Sequence, residues 1–186
     1  MRNQNRLVIL NGSYHRDGLT SKCLEEVAKR ICLDNFIDQR DVSRIFIDDN
    51  IRSCVGCGPG KCIAGCNFKD QFQKIDNEVY KARYVLIGSP VYLDMPTAKL
   101  TALLHRFNCY AENTGREYFR DKLVFIHANG YCSGTKSVIK TIMGACEMLG
   151  FSVDGRASTE YVELWKDKKI RGGRSQRSCW LGTQHE

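Results

Sequence analysis

The sequence predicts an α/β protein with a doubly wound, five-stranded parallel sheet and helices on both faces. Strand-like apolar runs alternate along the chain with segments of helical periodicity. Each strand-like run is nearly all apolar, which is typical of parallel strands covered on both faces. Five such β/α units fit into about 160 of the 186 residues, and no internal repeat or low-complexity segment interrupts them.

The first half of the chain supplies two strands and two helices. The apolar run RLVILNGS ends in Asn-Gly, which indicates a buried strand followed by a turn. Apolar residues at helical spacing then predict an amphipathic helix from Thr20 to about Leu33. Val42 to Asp48 alternates and is rich in β-branched residues, so it is predicted as the second strand. A cysteine-rich insertion, residues 52–67, follows this strand, and KDQFQKIDNEVYKA after it is predicted as a helix.

The second half completes the sheet. YVLIGSPVY is a third strand broken by Pro90, and a helix follows with Pro96 in its first turn. KLVFIHANG is the fourth strand, the next helix ends at Gly150, and FSVDGR begins the fifth strand. This order fits a flavodoxin-like sheet, in which ligands bind beyond the carboxyl ends of the strands.

Composition and charge exclude several classes of partner. No apolar run approaches the eighteen residues that a membrane span needs, and the four-residue run Leu7 to Leu10 is too short for a signal peptide. We therefore expect a cytoplasmic protein with no membrane partner. The net charge of 28 − 21 = +7 is concentrated in a basic tail, residues 166–186, which carries 6 − 2 = +4. The tail has no nucleic-acid-binding pattern, so residues 1–165 are predicted as the domain and no nucleic-acid partner is expected.

The loop NGSYHRDGLTSK, between the first strand and its helix, is suited to an anion. Gly12 and Gly18 allow tight turns, hydroxyl side chains supply donors, and His15 and Arg16 supply positive charge. The backbone N–H groups at the start of the helix also favour an anion. The alternative is an ordinary turn in which Thr20 caps the helix.

The loop GSPVYLDMPTAKL, after the third strand, is suited to a flat ring. Pro90 and Pro96 stiffen a connector that carries Tyr92, Leu93 and Met95. A rigid and partly aromatic loop beside a phosphate site would accommodate a heterocycle. The alternative is a plain loop whose aromatic side chain covers the core.

These loops resemble those of a known family. GSYHRDGLT has the spacing of the G-S-(four residues)-G-N-T phosphate loop of the NAD(P)H-dependent FMN reductase family, and GSPVYLDMPTAKLTALLHRF is similar to its G-S-P-V-Y…P…L-K…D-R segment. FIHANGYCSGTKSVIKTIMGACEMLGFSV resembles its third flavin loop and the helix that follows. The likeness extends over residues 5–156 and includes the iron–sulfur flavoprotein branch of the family.

The resemblance implies a set of FMN-binding residues. The phosphate would lie on Ser13, His15, the backbone of Leu19, and Thr20, with Arg16 adding charge because the family has Arg at the His15 position. The flavin ring would rest against residues of the loop after the third strand and be flanked by residues of the third flavin loop. The first group is Pro90, Val91, Tyr92 and Leu93, and the second is Asn129, Gly130 and Tyr131. Leu93 and Asp94 replace small residues of the family, which narrows access to the ring.

Two functions follow from the resemblance. In the first, the chain is an enzyme whose FMN accepts hydride from NADH or NADPH and passes electrons to a small acceptor such as a quinone, flavin or azo compound. In the second, it relays single electrons between a ferredoxin-like donor and FMN through a [4Fe–4S] cluster. A zinc-stabilised binding protein is a third hypothesis. The family also implies a homodimer or homotetramer, and no catalytic side chain is assigned.

The segment CVGCGPGKCIAGC holds four of the ten cysteines, Cys54, Cys57, Cys62 and Cys66. In the iron–sulfur branch a cluster motif lies at this place, although Cys62 is displaced by two residues from the usual spacing. Four interpretations stay open: a [4Fe–4S] cluster, a tetrahedral zinc site, a redox-active dithiol or regulatory disulfide, and cysteines that bind nothing.

The remaining cysteines and two histidines are expected to be structural. Cys23 and Cys146 lie on apolar helix faces, and Cys32 and Cys109 are interpreted in the same way. Two further cysteines lie elsewhere, Cys132 in the third flavin loop and Cys179 in the tail. The two histidines that are expected to be structural are His105 and His127.

Overall fold

The structure is a computed structural model that describes residues 5–58, 62, 66–114, 117–130 and 133–162. Its centre is a five-stranded parallel sheet in the order β2-β1-β3-β4-β5. The strands are β1 (Leu7–Asn11), β2 (Val42–Phe46), β3 (Tyr84–Pro90), β4 (Leu123–Gly130) and β5 (Ser152–Val162). This sheet confirms the predicted flavodoxin-like architecture.

Helices cover both faces of this sheet. They are α1 (Leu19–Asn35), α2 (Phe72–Lys81), α3 (Ala98–Thr114), α4 (Glu117–Arg120) and α5 (Thr135–Leu149), with a 3₁₀ turn at Gln39–Asp41. Alternate residues of β1 point to opposite faces, so Leu7 and Ile9 pack with α1 while Val8 and Leu10 pack with α2, α3 and α5. Gly150 ends α5 in the left-handed conformation, as predicted.

Three predicted boundaries were wrong by a few residues. β2 stops at Phe46 rather than Asp48, because Phe46 pairs with Asn11, the last residue of β1. The helix predicted over residues 69–82 is limited to Phe72–Lys81. The third helix begins at Ala98, so Pro96 precedes it; Thr97 is instead held by the neighbouring loops, as described below.

The predicted extent of the domain and tail remains a prediction, because residues 163–186 lie outside the described part of the chain. Within that described part, none of the helices has the length and apolar character required to cross a bilayer.

Candidate functional site

Three loops meet at the carboxyl edge of the sheet, after β1, β3 and β4. The register aligns Asn11 of β1 with Gly88 of β3, and Pro90 of β3 with Asn129 of β4. Parallel strands therefore deliver the three loops to the same edge, as the sequence predicts. We call this region the carboxyl-edge site.

The loop after β1 is held by short-range hydrogen bonds. The Ser13 N–H donates to Oδ1 of Asn11 (2.9 Å), and the His15 N–H donates to Oγ of Ser13 (3.1 Å). Nδ2 of Asn11 donates to Oγ of Ser21 (2.7 Å), which ties the strand end to α1. The first N–H groups of α1 have no partner within the helix, so this loop surrounds a set of donors that favours an anion.

Thr20 joins two of the three loops. Its hydroxyl donates to Oδ1 of Asn129 over 2.7 Å, across 109 residues of sequence, and both side chains are buried. The alternative interpretation, an ordinary turn in which Thr20 caps α1, was wrong: the N-cap is Gly18, and no side chain accepts a capping bond there. The predicted phosphate-loop residue and the predicted ring-flanking residue are therefore in direct contact.

The loop after β3 is fixed at both of its ends. The Thr97 N–H donates to Oγ of Ser89 (3.1 Å), and Oγ1 of Thr97 donates to the carbonyl of Gly12 (2.8 Å). The Val91 N–H donates to the carbonyl of Asn129 (2.9 Å). Because these groups are buried or backbone, the loop holds its position relative to the other two.

A two-residue turn forms the tip of this loop. Tyr92 and Met95 exchange both backbone hydrogen bonds, 3.0 Å and 2.9 Å, around Leu93 and Asp94. Leu93 and Asp94 have positive φ angles, 50° and 59°, as in the type I′ turns of hairpins. Leu93 is 98% exposed. The turn therefore holds an exposed leucine in a backbone conformation that non-glycine residues seldom adopt.

Gly134 explains why the turn can lie where it does. Its φ angle is 85°, and a Cβ atom there would overlap Oδ1 of Asp94 at a distance of 2.1 Å. The carboxylate of Asp94 thus packs on the start of α5, in space that only glycine leaves free. Asp94, the main departure from the family pattern, therefore has a structural position against the third loop.

Apolar and aromatic side chains surround the edge. Tyr14 and Tyr92 form an edge-to-face pair with ring centroids 6.0 Å apart, and both are about half exposed. Leu93 and Met95 extend the exposed apolar surface beside them. An apolar patch next to a set of polar donors is typical of a ligand site.

Lys99 is a functional candidate that the sequence reasoning missed. Its side chain is only 2% exposed, and Nζ lies 2.8 Å from Oδ1 of Asp49. Nζ also lies over the rings of Tyr14 (4.7 Å) and Phe46 (4.2 Å). Its position in the first turn of α3, directly after the family-like loop, is the signal that would have indicated it. A buried cation therefore stands behind the aromatic surface of the site.

The predicted cations His15 and Arg16 are both exposed. The guanidinium of Arg16 lies over the Phe46 ring (4.3 Å) and 3.9 Å from Oδ1 of Asp48, so at present it faces β2. Two predicted loop residues, Tyr131 and Cys132, lie outside the described residues, as does Cys179 in the tail.

The two histidines differ in burial. His127, in β4, is fully buried, and this burial lowers its pKa to about 4, so the ring is neutral at neutral pH. His105, on α3, is exposed. Cys23, Cys32 and Cys146 are buried in the core, which confirms the expectation for these three.

A second cluster lies on the flank of α3. Cys54, Cys57, Cys62 and Cys66 line one cavity of about 20 Å³, and Cys109 lines it too. The sulfur atoms of Cys54 and Cys109 are 2.8 Å apart. The expectation that Cys109 is an ordinary core residue was therefore wrong, because its thiol faces the cysteine-rich segment. We call these five residues the cysteine cluster.

Buried charges support this cluster on one side. Arg106 and Asp70 form an ion pair with side chains 2% and 7% exposed, and the guanidinium lies 4.1 Å from the centroid of Phe72. Nε and Nη2 of Arg106 have no hydrogen-bond partner among the described residues, and Arg106 lines the cysteine cavity. Arg106 therefore contributes spare N–H donors to the wall of the cavity, and Asp70 balances its charge.

Burial also affects the thiols. It raises the pKa of Cys109 to about 12, with further contributions from its contact with Cys54 and from the nearby Cys62 and Glu112. Burial and the adjacent Cys57 and Cys54 also raise the pKa of Cys62. Both thiols are therefore protonated at neutral pH in this arrangement.

In this arrangement the cavity between the cysteines is smaller than an iron–sulfur cubane. A cavity of about 20 Å³ has room for about one water molecule, whereas a cubane contains eight iron and sulfur atoms. Among the described residues, no three cysteine, histidine or acidic side chains are grouped as metal ligands.

The fold and the carboxyl-edge site together define a class, the flavodoxin-like proteins that bind a flavin nucleotide beyond the ends of a parallel sheet. Residues 5–158 match the family described as NADPH-dependent FMN reductase, so the chain belongs to that family. It is an NAD(P)H-dependent FMN oxidoreductase with FMN as its cofactor. No curated protein sequence matches the chain.

Solved structures show the same fold at low sequence identity. An apo NADH:FMN oxidoreductase aligns with a TM-score of 0.62 at 15% identity, over 86% of this chain and 76% of its own. The Trp repressor binding protein of Bacillus subtilis aligns with a TM-score of 0.60 at 11% identity, over 84% of both chains. A flavodoxin from the domain Archaea aligns with a TM-score of 0.52 at 14% identity, over 88% and 87%.

Proposed function

We propose that the chain binds FMN at the carboxyl-edge site and uses it to transfer electrons from NAD(P)H to a small acceptor such as a quinone, a free flavin or an azo compound. The observation that carries this proposal is the buried hydrogen bond between Thr20 and Asn129. It joins the loop suited to a phosphate to the loop suited to a ring, so one ligand with both parts would contact both loops.

The phosphate end of the proposed site is the start of α1. The hydroxyl of Ser13 and the backbone N–H groups of Leu19 and Thr20 supply neutral donors at the start of the helix, while the Thr20 hydroxyl stays bonded to Asn129. His15 is exposed beside them and supplies a donor or a charge. Arg16 would add a second charge after leaving Asp48, a contact that at 3.9 Å between largely exposed groups is weak.

The ring end is the loop after β3. Pro90, Val91, Tyr92 and Leu93 would form one wall, held in place by the bonds of Ser89 and Thr97. Asn129 and Gly130 would flank the opposite side together with Tyr131. The carbonyl of Asn129 already accepts from Val91, so the two walls are linked before any ligand binds.

The bound FMN supplies the electron-transfer chemistry, and the protein positions it. Thr20 and Asn129 fix the spacing between the phosphate and ring ends. The Leu93–Asp94 turn shields one side of the ring from water, while exposed Tyr14, Tyr92 and Met95 offer flat apolar surface to a planar acceptor. Lys99 contributes fixed positive charge behind that surface, which favours electron-rich states of a nearby ring.

The test is a titration of the purified protein under anaerobic conditions. We expect stoichiometric uptake of FMN, bleaching of its visible bands by NADPH or NADH, and recovery of the bands on adding 1,4-benzoquinone, free FMN or methyl red. Recovery with one of these three would identify the class of acceptor. A protein that takes up no FMN would contradict the binding proposal, and bound FMN that neither dinucleotide reduces would contradict the proposed donor.

The second candidate function is an electron relay through a [4Fe–4S] cluster held by Cys54, Cys57, Cys62 and Cys66. The convergence of these thiols beside the spare donors of Arg106 favours it, whereas the small cavity does not. Iron analysis of anaerobically purified protein distinguishes the two candidates. Light scattering would test the expected homodimer or homotetramer in the same samples.

A further inference from the structure

Two of the five thiols in the cysteine cluster, from distant parts of the chain, are in direct contact. The sulfur atoms of Cys54 and Cys109 are 2.8 Å apart and belong to residues 55 positions apart in sequence. A disulfide bond is about 2.05 Å long, so an approach of about 0.8 Å would join them. The pair connects the cysteine-rich segment to α3.

The pair is open to solvent on one side. A groove of about 380 Å³ between α3 and α5 is lined by both thiols and by exposed His105 and Met148. Both cysteines are half-buried rather than buried. A small molecule can therefore reach these two sulfur atoms from the groove. Among the described residues, Cys57, Cys62 and Cys66 line the narrow cavity but not this groove.

The surrounding backbone distinguishes the two sulfur atoms. The N–H of Gly56 donates to Sγ of Cys54 at 3.3 Å, so the Cys54 sulfur accepts a hydrogen bond from the backbone of its own segment. Gly56 and Gly58 have positive φ angles, and no atom of the described residues lies within 4 Å of a Cβ position on either, so these residues have few packing restraints within that part of the chain. Cys109, in contrast, is fixed on a helix.

We propose that Cys54 and Cys109 are a redox-active dithiol that reduces low-molecular-weight disulfides through the groove between α3 and α5. The Cys54 sulfur attacks one sulfur of the small disulfide, whose S–S bond breaks and releases one thiol that takes the Cys54 proton. Cys109 then attacks the Cys54 sulfur and expels the second thiol, which takes the Cys109 proton. Two cysteine thiols are oxidised to one disulfide, and the small disulfide is reduced to two thiols.

This dithiol is independent of the proposed flavin chemistry. Cys109 lies eleven residues after Ala98, which is about 16 Å along the helix axis from the carboxyl edge. The disulfide would also remove two thiols from the cluster, so its formation and the binding of a metal by Cys54 exclude each other. FMN affinity is expected to be the same for the reduced and the oxidised protein.

The experiment treats reduced, full-length protein with oxidised glutathione under anaerobic conditions, followed by acid quenching and alkylation. We expect two of the ten thiols to become unreactive towards the alkylating reagent, with no glutathione left bound to the protein. Proteolysis and mass spectrometry should yield one cross-linked peptide pair, containing Cys54 and Cys109. Two molecules of glutathione should be released for each chain.

The variants determine the order of attack. Cys109→Ser should retain one glutathione on Cys54, because the resolving thiol is missing, and Cys54→Ser should form neither cross-link nor adduct. Cys66→Ser is the matched control from the same cavity and should form the cross-link like the unaltered chain. Circular dichroism and FMN titration of each variant show that it is folded.

Three outcomes would overturn the proposal. The first is a cross-link that joins Cys57 to Cys54 or to Cys62. The second is the loss of no thiol in folded protein. The third is one equivalent of iron or zinc in the purified chain that keeps Cys54 and Cys109 from reacting, which would assign the thiols to a metal.

Discussion

The carboxyl-edge site and the cysteine cluster are built from different kinds of contact. At the edge, directional hydrogen bonds join residues far apart in sequence, such as Thr20 to Asn129 and Thr97 to Gly12. At the cluster, the ion pair of Arg106 and Asp70 fixes one wall, and another wall contains glycines with no atom of the described residues within 4 Å of a Cβ position. Directional bonds therefore hold the three loops of the first region together, whereas part of the second region is loosely packed.

The largest expected effect tests the fixed wall of the cluster. Asp70→Asn removes the charge that pairs with buried Arg106 and leaves a guanidinium without its counter-ion. Breaking a buried pair in this way costs about 3 to 5 kcal/mol. We expect urea unfolding to show a loss of that order in the free energy of unfolding.

The control for this variant is Asp34→Asn on α1, whose pair with Arg30 is exposed on the helix surface. Its free energy of unfolding should change by less than about 0.5 kcal/mol. If the two variants lose the same free energy of unfolding, the buried pair of Arg106 and Asp70 contributes no more than an exposed pair. The wall that it forms would then not be a fixed part of the cluster.

The next effect tests the carboxyl edge. Thr20→Val keeps the shape of the side chain but leaves Oδ1 of Asn129 buried without the hydroxyl that donates to it. An unsatisfied buried acceptor costs about 1 to 3 kcal/mol, so the free energy of unfolding should fall by that order. The Kd for FMN should rise as well, because the phosphate loop and the ring loop lose the bond that holds them together.

Fluorescence titration measures this change, and Thr141→Val on the exposed face of α5 is the control, since Thr141 bonds only within its own helix. Unchanged FMN affinity in Thr20→Val would mean that the link between the loops is not part of the binding site. The disulfide between Cys54 and Cys109 should form equally in both variants, which keeps the two regions separate.

The sequence predicted the carboxyl edge better than the cluster, for a physical reason. Strand and helix periodicity determines the order of the elements, and parallel strands then bring their carboxyl ends together. The positions of Ser13, Thr20 and Asn129 could therefore be inferred from three local segments. Their mutual hydrogen bonds could not, because a bond such as Thr20 to Asn129 depends on how α1 packs on β4.

The cluster depended on a contact that local spacing does not contain. The intervals between Cys54, Cys57, Cys62 and Cys66 suggested a self-contained set of ligands, whereas Cys109 enters from α3, 55 residues after Cys54. Cys109 has helical spacing like any core residue, and only the packing of α3 against the segment reveals its role. Lys99 was missed for a similar reason, since its partners Tyr14 and Asp49 belong to other loops.

Acid should lower the stability of the sheet through His127, which lies in β4. Its pKa is about 4 in the folded chain and about 6.5 when exposed, so the unfolded state binds more protons between these values. The contribution to stability is complete above pH 6.5 and is lost as the pH falls towards 4. At pH 5 the loss is about 2 kcal/mol.

Urea unfolding at pH 7 and pH 5 measures this loss, and His127→Gln should reduce the difference between the two conditions by about that amount. His105→Gln, an exposed position on α3, should keep the full difference. If His127→Gln shows the same pH dependence as the unaltered chain, the acid sensitivity arises elsewhere.

The smallest effect compares two glycines of the same helix region. Gly134→Ala forces a side chain into a φ of 85° and onto the Asp94 carboxylate, which costs about 1 to 2 kcal/mol and displaces the turn over the proposed ring site. Gly144→Ala, inside α5 with nothing within 4 Å of a Cβ, should instead stabilise the chain by about 0.5 to 1 kcal/mol. Urea unfolding should therefore show a lower free energy of unfolding for Gly134→Ala and a higher one for Gly144→Ala. FMN titration should show weaker binding in Gly134→Ala alone. If both variants bind FMN equally well, the Leu93–Asp94 turn does not belong to the flavin site. The FMN-binding part of the carboxyl-edge site would then be limited to the loops joined by Thr20 and Thr97.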